Sequence, residues 1–355
     1  MNSAAAMARH QTRALRRPQL MIGVFVVACA VAVVLSVSIG SVAIAPSRVL
    51  EVIGGRLLPW GNISVAGLDD QIVWEFRLPR ALLGFVVGAA LAVAGAVLQA
   101  VVRNPLADPF VFGVSSGASV AAVAALTLTT GVTAAVSTPV AAFAGAFVTT
   151  VLVFVLAQQN GRVAPNRLIL AGVAMSYLLS SITSYLVLRS SGSNQGVGQV
   201  LSWLAGSLAA ATWRDLGVPA VVLVVATTVL VLLAPVLNAF LTGDETAASL
   251  GVDVGRVRLG LFIITSLLVG VVVAVSGSIG FVGLVVPHAV RMVIGSDHRW
   301  VLPASALAGG LLLVVVDIGA RLILAPTEVP VGLLTAVVGA PFFLWLMRRS
   351  GRSQR

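Results

Sequence analysis

About ten apolar runs divide this 355-residue chain, each long enough or nearly long enough to cross a lipid bilayer. A helix rises about 1.5 Å per residue, so roughly 20 apolar residues cover the hydrocarbon core. The predicted spans are 20–40, 80–101, 109–130, 135–157, 167–188, 216–236, 258–276, 279–294, 300–316 and 331–347. We therefore predict an all-α, polytopic membrane protein with about ten transmembrane helices.

Composition agrees, since 59% hydrophobic and 10% charged residues leave too little polar surface for a soluble globule of this size. The net charge of +10 would also fit nucleic-acid binding, so the positions of the arginines decide. With both termini in the cytoplasm, about 15 of the 22 arginines fall on cytoplasmic segments, as the positive-inside rule expects. The charge therefore indicates orientation, with basic cytoplasmic tails at 1–19 and 348–355 around a transmembrane domain at 20–347.

Three connections between the spans are long. The extracytoplasmic loop 41–78 is expected to carry short surface helices, and the external segment 190–214 contains an apolar piece too short to span. The cytoplasmic segment 238–258 includes acidic residues that suit a first helical turn, and a glycine that suits a helix stop. These features predict a short cytoplasmic helix at 244–250.

Several site classes are disfavoured by residue type. Lysine is absent, so the chain cannot form a P-loop, whose lysine holds the β- and γ-phosphates; if ATP drives this protein, another subunit binds it. The single cysteine, Cys29, cannot form a disulfide or a thiolate metal cluster within one chain. His288 and His298 lack partners at metal-ligand spacing, and no nucleophile has an activating context. We expect no metal site, no bound cofactor and no catalytic activity.

A polar stripe marks the fifth predicted span. Ser176, Ser180 and Ser184 follow four-residue steps, which stack three hydroxyls on one helix face. Two roles fit equally well: lining a water-filled path, or hydrogen bonding between helices.

The most specific motif joins the second and third spans. Prolines fix a sharp turn there, while glycines and serines allow close packing or unwinding of the next helix start. Its residues are Asn104, Pro105, Asp108, Pro109, Gly113, Ser116 and Gly117. With Arg77-Leu-Pro-Arg80 before it and the segment 280–288, which ends in Pro287 and His288, the chain resembles the FecCD family. These proteins are membrane subunits of ABC importers for ferric siderophores, haem and vitamin B12.

The resemblance covers about residues 20–347 and implies an assembly. A ten-helix permease would pair with a second permease subunit, identical or related, in the bacterial cell membrane. Two ATP-binding subunits would use ATP below it, and an extracytoplasmic substrate-binding protein would dock above.

The resemblance also implies roles for particular residues. Arg77, Arg80 and Arg321 match arginines that meet glutamates of the binding protein, although local pairing with Glu75, Asp317 or Glu328 is the alternative. The ATPase-coupling helix would include Gly243, Asp244, Glu245, Ala248, Leu250 and Gly251. The inner gate would lie at Ala164, Pro165 and Asn166, where this chain lacks the small hydroxyl residues common in the family, so its gate chemistry is not carried over.

The predicted function is therefore import of a ferric siderophore through an ABC permease, with haem or vitamin B12 as alternative cargo. An ion-coupled secondary transporter is the competing class. Such a transporter should place ionisable residues near the bilayer midplane, whereas most charges here lie near the ends of spans.

Overall fold

A computed structural model of the chain describes residues 2–40, 42–57, 67–127, 137–159, 162–163, 165–189 and 194–350. Within these ranges the protein is built from helices, with one antiparallel pair of two-residue strands, β1 (Gln158–Gln159) and β2 (Arg162–Val163). The all-α prediction is confirmed. Ala164 and residues 351–355 lie outside the described residues.

Fifteen α-helices follow one another along the described chain. They are α1 (Asn2–Ser38), α2 (Pro46–Leu57), α3 (Leu68–Gln71), α4 (Leu78–Val102), α5 (Val114–Thr127), α6 (Thr138–Ala157), α7 (Pro165–Arg189), α8 (Asn194–Ala205), α9 (Trp213–Leu232), α10 (Ala234–Thr242), α11 (Asp244–Ser249), α12 (Val254–Ser276), α13 (Val282–Ile294), α14 (His298–Leu322) and α15 (Val331–Ser350). A π-helical turn, Ile72–Arg77, leads into α4, and a 3₁₀ turn, Pro109–Phe112, precedes α5.

Seven of the described helices are long and apolar enough to cross a membrane, and three shorter apolar helices, α5, α13 and α15, occupy further predicted spans. Two predicted starts were too early. The chain at 109–113 forms the 3₁₀ turn rather than the first turn of α5, and α13 begins at Val282 because Gly277–Phe281 is not helical. The α2 helix lies in the loop that was expected to carry short helices, and α8 lies in the segment 190–214. The α11 helix matches the predicted 244–250 helix to within a residue.

Helix α4 is the centre of the bundle: 89% of its most apolar window is buried, against α9, α12, α13 and α14. Close approach depends on glycine pairs. A Cβ at Gly95 would overlap the backbone carbonyl of Gly283 in α13, and one at Gly88 would overlap that of Gly309 in α14. Such backbone contact supplies the van der Waals packing that holds helices together in lipid.

A side chain of α4 also donates a hydrogen bond to a carbonyl of α13 that has no helical partner. Pro287 has no N–H, so the carbonyl of Gly283, four residues earlier, loses its helical partner. The Gln99 side-chain amide donates to that carbonyl at 3.2 Å and to the carbonyl of Leu284 at 3.1 Å. The carbonyl that Pro287 leaves without a helical partner is therefore satisfied from the neighbouring helix.

The glycine contact can be tested by adding one methyl group. Gly95→Ala should lower the stability of the purified protein by about 1–3 kcal/mol, because the Cβ would separate α4 from α13. Gly23→Ala is the control, since nothing lies within 4 Å of a Cβ at that position in α1. The measurement is the thermal unfolding midpoint of both variants in the same detergent; equal midpoints would contradict the packing role of Gly95.

Candidate functional site

The loop between α4 and α5 is held by its own side chains. Arg103 ends α4 in a left-handed conformation with φ 54°. The Asn104 side-chain oxygen accepts from the Leu106 N–H at 2.9 Å, and Asp108 Oδ1 accepts from the Phe110 N–H at 2.8 Å. Gly113, with φ 77°, closes the 3₁₀ turn. The predicted motif is thus a rigid turn whose polar residues satisfy its own backbone.

Beside this loop lies a cavity of about 640 Å³, here called the aromatic cavity. Residues from four parts of the fold line it: the loop, α5, α7, and the region of α13 and α15. They are Leu106, Asp108, Phe110, Val111, Ser116, Val173, Ser176, Tyr177, Ser180, Gly280, Phe281, Leu284 and Phe343. Its volume lies within the range of small-molecule sites.

A second cavity of about 500 Å³, here called the hydroxyl cavity, lies between α5, α7 and α8. It is lined by Ser115, Ser116, Ser119, Ser180, Thr183, Ser184, Val187, Leu188, Leu201 and Leu204. The two cavities share Ser116 and Ser180. The predicted serine stripe therefore lines both: Ser176 faces the aromatic cavity, Ser184 the hydroxyl cavity, and Ser180 both.

The stripe's second proposed role, bonding between helices, has less geometric support. The Ser184 hydroxyl donates to the carbonyl of Ser180, one turn earlier in its own helix, at 2.9 Å. A direct hydroxyl contact between distant segments comes instead from Ser115 of α5 and Ser278, whose Oγ atoms lie 2.7 Å apart. Sequence reasoning missed this pair, because two residues 163 positions apart carry no spacing signal.

Phe281 lies in the segment 280–288 that carries the family resemblance, but the sequence assigned it no role of its own. It precedes α13 with φ 68°, a left-handed conformation that bulky residues rarely adopt. Its side chain packs against Gly339 of α15, where a Cβ would overlap the ring. Strained residues of this kind concentrate at functional sites, and Phe281 borders the aromatic cavity.

Of the three arginines that the resemblance assigns to docking, Arg77 and Arg80 are buried and Arg321 is half-buried. Arg77 donates to the carbonyl of Val37 in the last turn of α1 at 2.9 Å and to that of Val42, beyond the helix, at 2.6 Å. Arg321 donates to the carbonyl of Ile39 at 3.0 Å. Together they satisfy carbonyls that the last turn of a helix leaves without partners.

Arg80 forms an ion-pair network in the same region. It binds Asp317 through Nε at 3.0 Å and Nη2 at 2.9 Å, and its Nη1 lies 2.7 Å from Glu328. Arg321 Nε lies 3.2 Å from the other Asp317 oxygen. Helices α1, α4 and α14 pack around these arginines. Local pairing with Asp317 and Glu328 is observed, and docking stays a prediction.

At the opposite end of α4, the α11 segment is tied to the motif loop. Arg258 donates to both oxygens of Asp244 at 3.0 Å and 2.9 Å, and Arg103 lies 3.5 Å from the same carboxylate. Gly243 and Gly251, both at positive φ, flank the helix. Ala248 lies on α11, and Glu245 is exposed; Leu250 at its end is 69% exposed.

The remaining predicted residues are dispersed. Pro165 begins α7 and Asn166 is exposed in its first turn. His298 Nδ1 lies 2.8 Å from the side-chain oxygen of Asn238, which joins α14 to α10, and His288 is half-buried in α13. Within the described ranges, no group of three or more His, Cys, Asp or Glu residues could hold a metal ion.

Comparison with known proteins identifies the family. The model of the FecCD transport family matches residues 28–349. The chain belongs to the FecCD transport family. It is 44% identical to the cobalamin import system permease protein BtuC of Halobacterium salinarum, over 91% of this chain and 88% of that protein.

Other relatives of this chain are named for different cargo. The hemin transport system permease protein HmuU of Yersinia pestis is 41% identical over 80% of this chain and 85% of its own length. The Fe(3+)-citrate import system permease protein YfmE of Bacillus subtilis is 37% identical over 97% of this chain and 99% of its own length. A solved metal-chelate type ABC transporter in an inward-facing conformation matches with a TM-score of 0.77 and 29% identity, over 93% of this chain and 99% of that one.

The buried ion pair gives a stability prediction for this FecCD protein. Arg80→Gln should destabilise it by about 3–5 kcal/mol, because Asp317 would remain buried with a weakened partner set. Arg48→Gln is the matched control, since Arg48 pairs with Glu51 at an exposed site and should change little. Thermal unfolding measures both; a small effect of Arg80→Gln would show that the network adds no stability.

Asp108 gives a pH prediction. Burial raises the pKa of its carboxyl from 3.8 to about 6, against the opposing hydrogen bond from the Phe110 N–H. The ionised form is therefore disfavoured in the folded state, and this cost appears as pH rises from about 4 to above 6. Asp108→Asn keeps the oxygen that accepts from Phe110, so it should stabilise the protein at about pH 7.5 and not at about pH 4. Unfolding midpoints at the two pH values measure this; an equal gain at both would contradict the titration.

Proposed function

We propose that this chain is the permease subunit of an ABC importer and forms the translocation path for a metal chelate, with a ferric siderophore as the first candidate. The observation that carries the proposal is the pair of adjoining cavities beside α7, lined by aromatic and hydroxyl side chains. They lie in a chain whose family relatives are import permeases. The path would cross the bilayer along α7.

A second permease subunit would complete the path. Helix α7 has the lowest mean hydropathy of the seven candidate spans, 1.5, and only 17% of its window is buried. Its exposed residues include Tyr177, Ser181 and Tyr185. A polar and exposed transmembrane face suits water or another subunit better than lipid. We assign this face to an identical or related permease.

Two ATP-binding subunits would supply the energy, and ATP would be used there rather than by this chain. Their contact would be α11, where exposed Leu250 offers an apolar knob beside acidic residues. Asp244 links α11 to Arg103, which directly precedes the motif loop at the aromatic cavity. Movement of α11 as a rigid body would thus reach the cavity through one ion pair.

A substrate-binding protein would dock at the opposite end, near Arg77, Arg80 and Arg321. Of these, Arg77 donates to backbone carbonyls among the described residues, so an incoming carboxylate would be a stronger acceptor for it. Both termini would then be cytoplasmic, in a bacterial cell membrane. No nucleic-acid contact is part of this function.

The experiment is ATP-dependent uptake of radio-labelled ferric siderophore, haem and cobalamin in a deletion strain with and without the gene. We expect the intact gene to restore uptake of one cargo class, with the ferric siderophore as first choice. Leu250→Glu should reduce that uptake to background, because it places a charge on the apolar ATPase contact; Leu250→Met is the matched control.

The uptake results distinguish the cargo, the energy source and the coupling contact. Restored uptake of haem or cobalamin alone would keep the importer and change the cargo. Uptake that persists after ATP depletion and follows an ion gradient would favour the secondary transporter. Normal uptake by Leu250→Glu would exclude α11 as the coupling contact.

A further inference from the structure

We propose that Asp108 and the rings of the aromatic cavity form a charge-selective subsite, which accepts the apolar, uncharged or cationic face of a chelate and disfavours polyanionic chelates. The inference rests on the proposed function and narrows its substrate class.

The rings come from four separate elements. Phe110 lies in the 3₁₀ turn, Tyr177 in α7, Phe281 before α13 and Phe343 in α15. Aromatic residues make up 6% of the chain but supply four of the thirteen residues that line this cavity. Aromatic faces carry negative electrostatic potential, so they bind apolar surfaces and cations and not anions.

Asp108 adds a formal negative charge to the same wall. It is the one charged residue among those that line the cavity in the described structure, and Tyr177 is the one other titratable group there. Its Oδ1 accepts from the Phe110 N–H, while Oδ2 has no hydrogen-bond partner among the described residues. A carboxylate oxygen at an apolar wall attracts cations and repels anions more strongly than it would in water.

The subsite is held in place before any cargo arrives. Asp108 is fixed as the cap of the 3₁₀ turn, and the left-handed backbone of Phe281 directs its ring against Gly339. The turn itself contacts α13, since a Cβ at Gly283 would lie 3.1 Å from Pro109. Preorganised groups discriminate by charge because they do not rearrange to suit a poor ligand.

The test uses one ferric trihydroxamate core with three end groups: a free amine that is cationic, an acetylated amine that is neutral, and a succinylated amine that is anionic. Binding of each to the purified, assembled transporter in lipid nanodiscs is measured at neutral pH without ATP. The wild type should bind the cationic and neutral forms at least about tenfold more tightly than the anionic form.

Variants assign the preference to this subsite. Asp108→Asn keeps the turn cap and should reduce the charge preference to less than about threefold. Phe281→Ala should weaken binding of all three forms alike. Asp215→Asn is the matched control, because Asp215 also caps a helix, by accepting from the Thr212 N–H at 3.0 Å, and lies at the start of α9 away from the cavity.

Three outcomes would overturn the subsite: equal affinity of the wild type for the three forms, no measurable binding of any form, or an unchanged preference in Asp108→Asn. Failure of the proposed function would give a different combination of binding and uptake results from failure of the subsite. Charge-selective binding without ATP-dependent uptake of any chelate would leave the subsite and remove the importer, whereas ATP-dependent uptake without charge selectivity would do the reverse.

Discussion

Satisfaction of backbone polar groups at breaks in the helices is the constraint on which the rest of this structure depends. Lipid offers no hydrogen bonds, so irregular backbone in a transmembrane bundle needs partners from the protein. The protein supplies them locally at 103–113 through Asn104 and Asp108. It supplies them across helices at 276–278, where the Ser207 N–H donates to the carbonyl of Ser276 at 2.8 Å. The first break supplies Asp108 to the wall of the aromatic cavity, and the non-helical segment that follows Ser276 supplies Gly280 and Phe281.

Close helix contact makes these cross-helix partners possible. Gly95 and Gly283 let the backbones of α4 and α13 touch, which brings Gln99 within reach of the carbonyl that Pro287 leaves unpaired. A larger residue at either glycine would move the Gln99 amide away from its acceptor. Packing and hydrogen bonding are therefore coupled at this crossing. The wall of the aromatic cavity at Leu284 depends on both.

Much of the fold could be predicted from the sequence because span length and capping are local properties. Apolar runs located the helices, and the glycine after Leu250 located the end of α11. Phe281 and the Ser115–Ser278 pair could not be predicted, since their roles come from contacts between distant segments. Span length also cannot show that a helix starts late, as α13 does. The non-helical segment before α13 is part of the same apolar run as the helix, so composition does not separate them. The choice between docking and local pairing of the arginines stayed open for a related reason: the position of a residue at a span end does not reveal what packs over it.

The contacts of Arg77, Arg80 and Arg321 determine how a docking event at this end would work. Arg80 and Arg321 share the Asp317 carboxylate, so a partner's carboxylate would have to displace a buried ion pair, which is costly. Arg77 instead donates to neutral carbonyls at and just beyond the end of α1, and a carboxylate would be a stronger acceptor. Gly40 lies directly against the Arg77 guanidinium, since a Cβ at Gly40 would overlap it. A carboxylate would therefore reach Arg77 only if Gly40 moved aside. Docking through Arg77 would thus release the end of α1. Since α1 packs along α14, the carboxyl end of α1 is the element through which a contact outside the membrane would reach the core of the bundle.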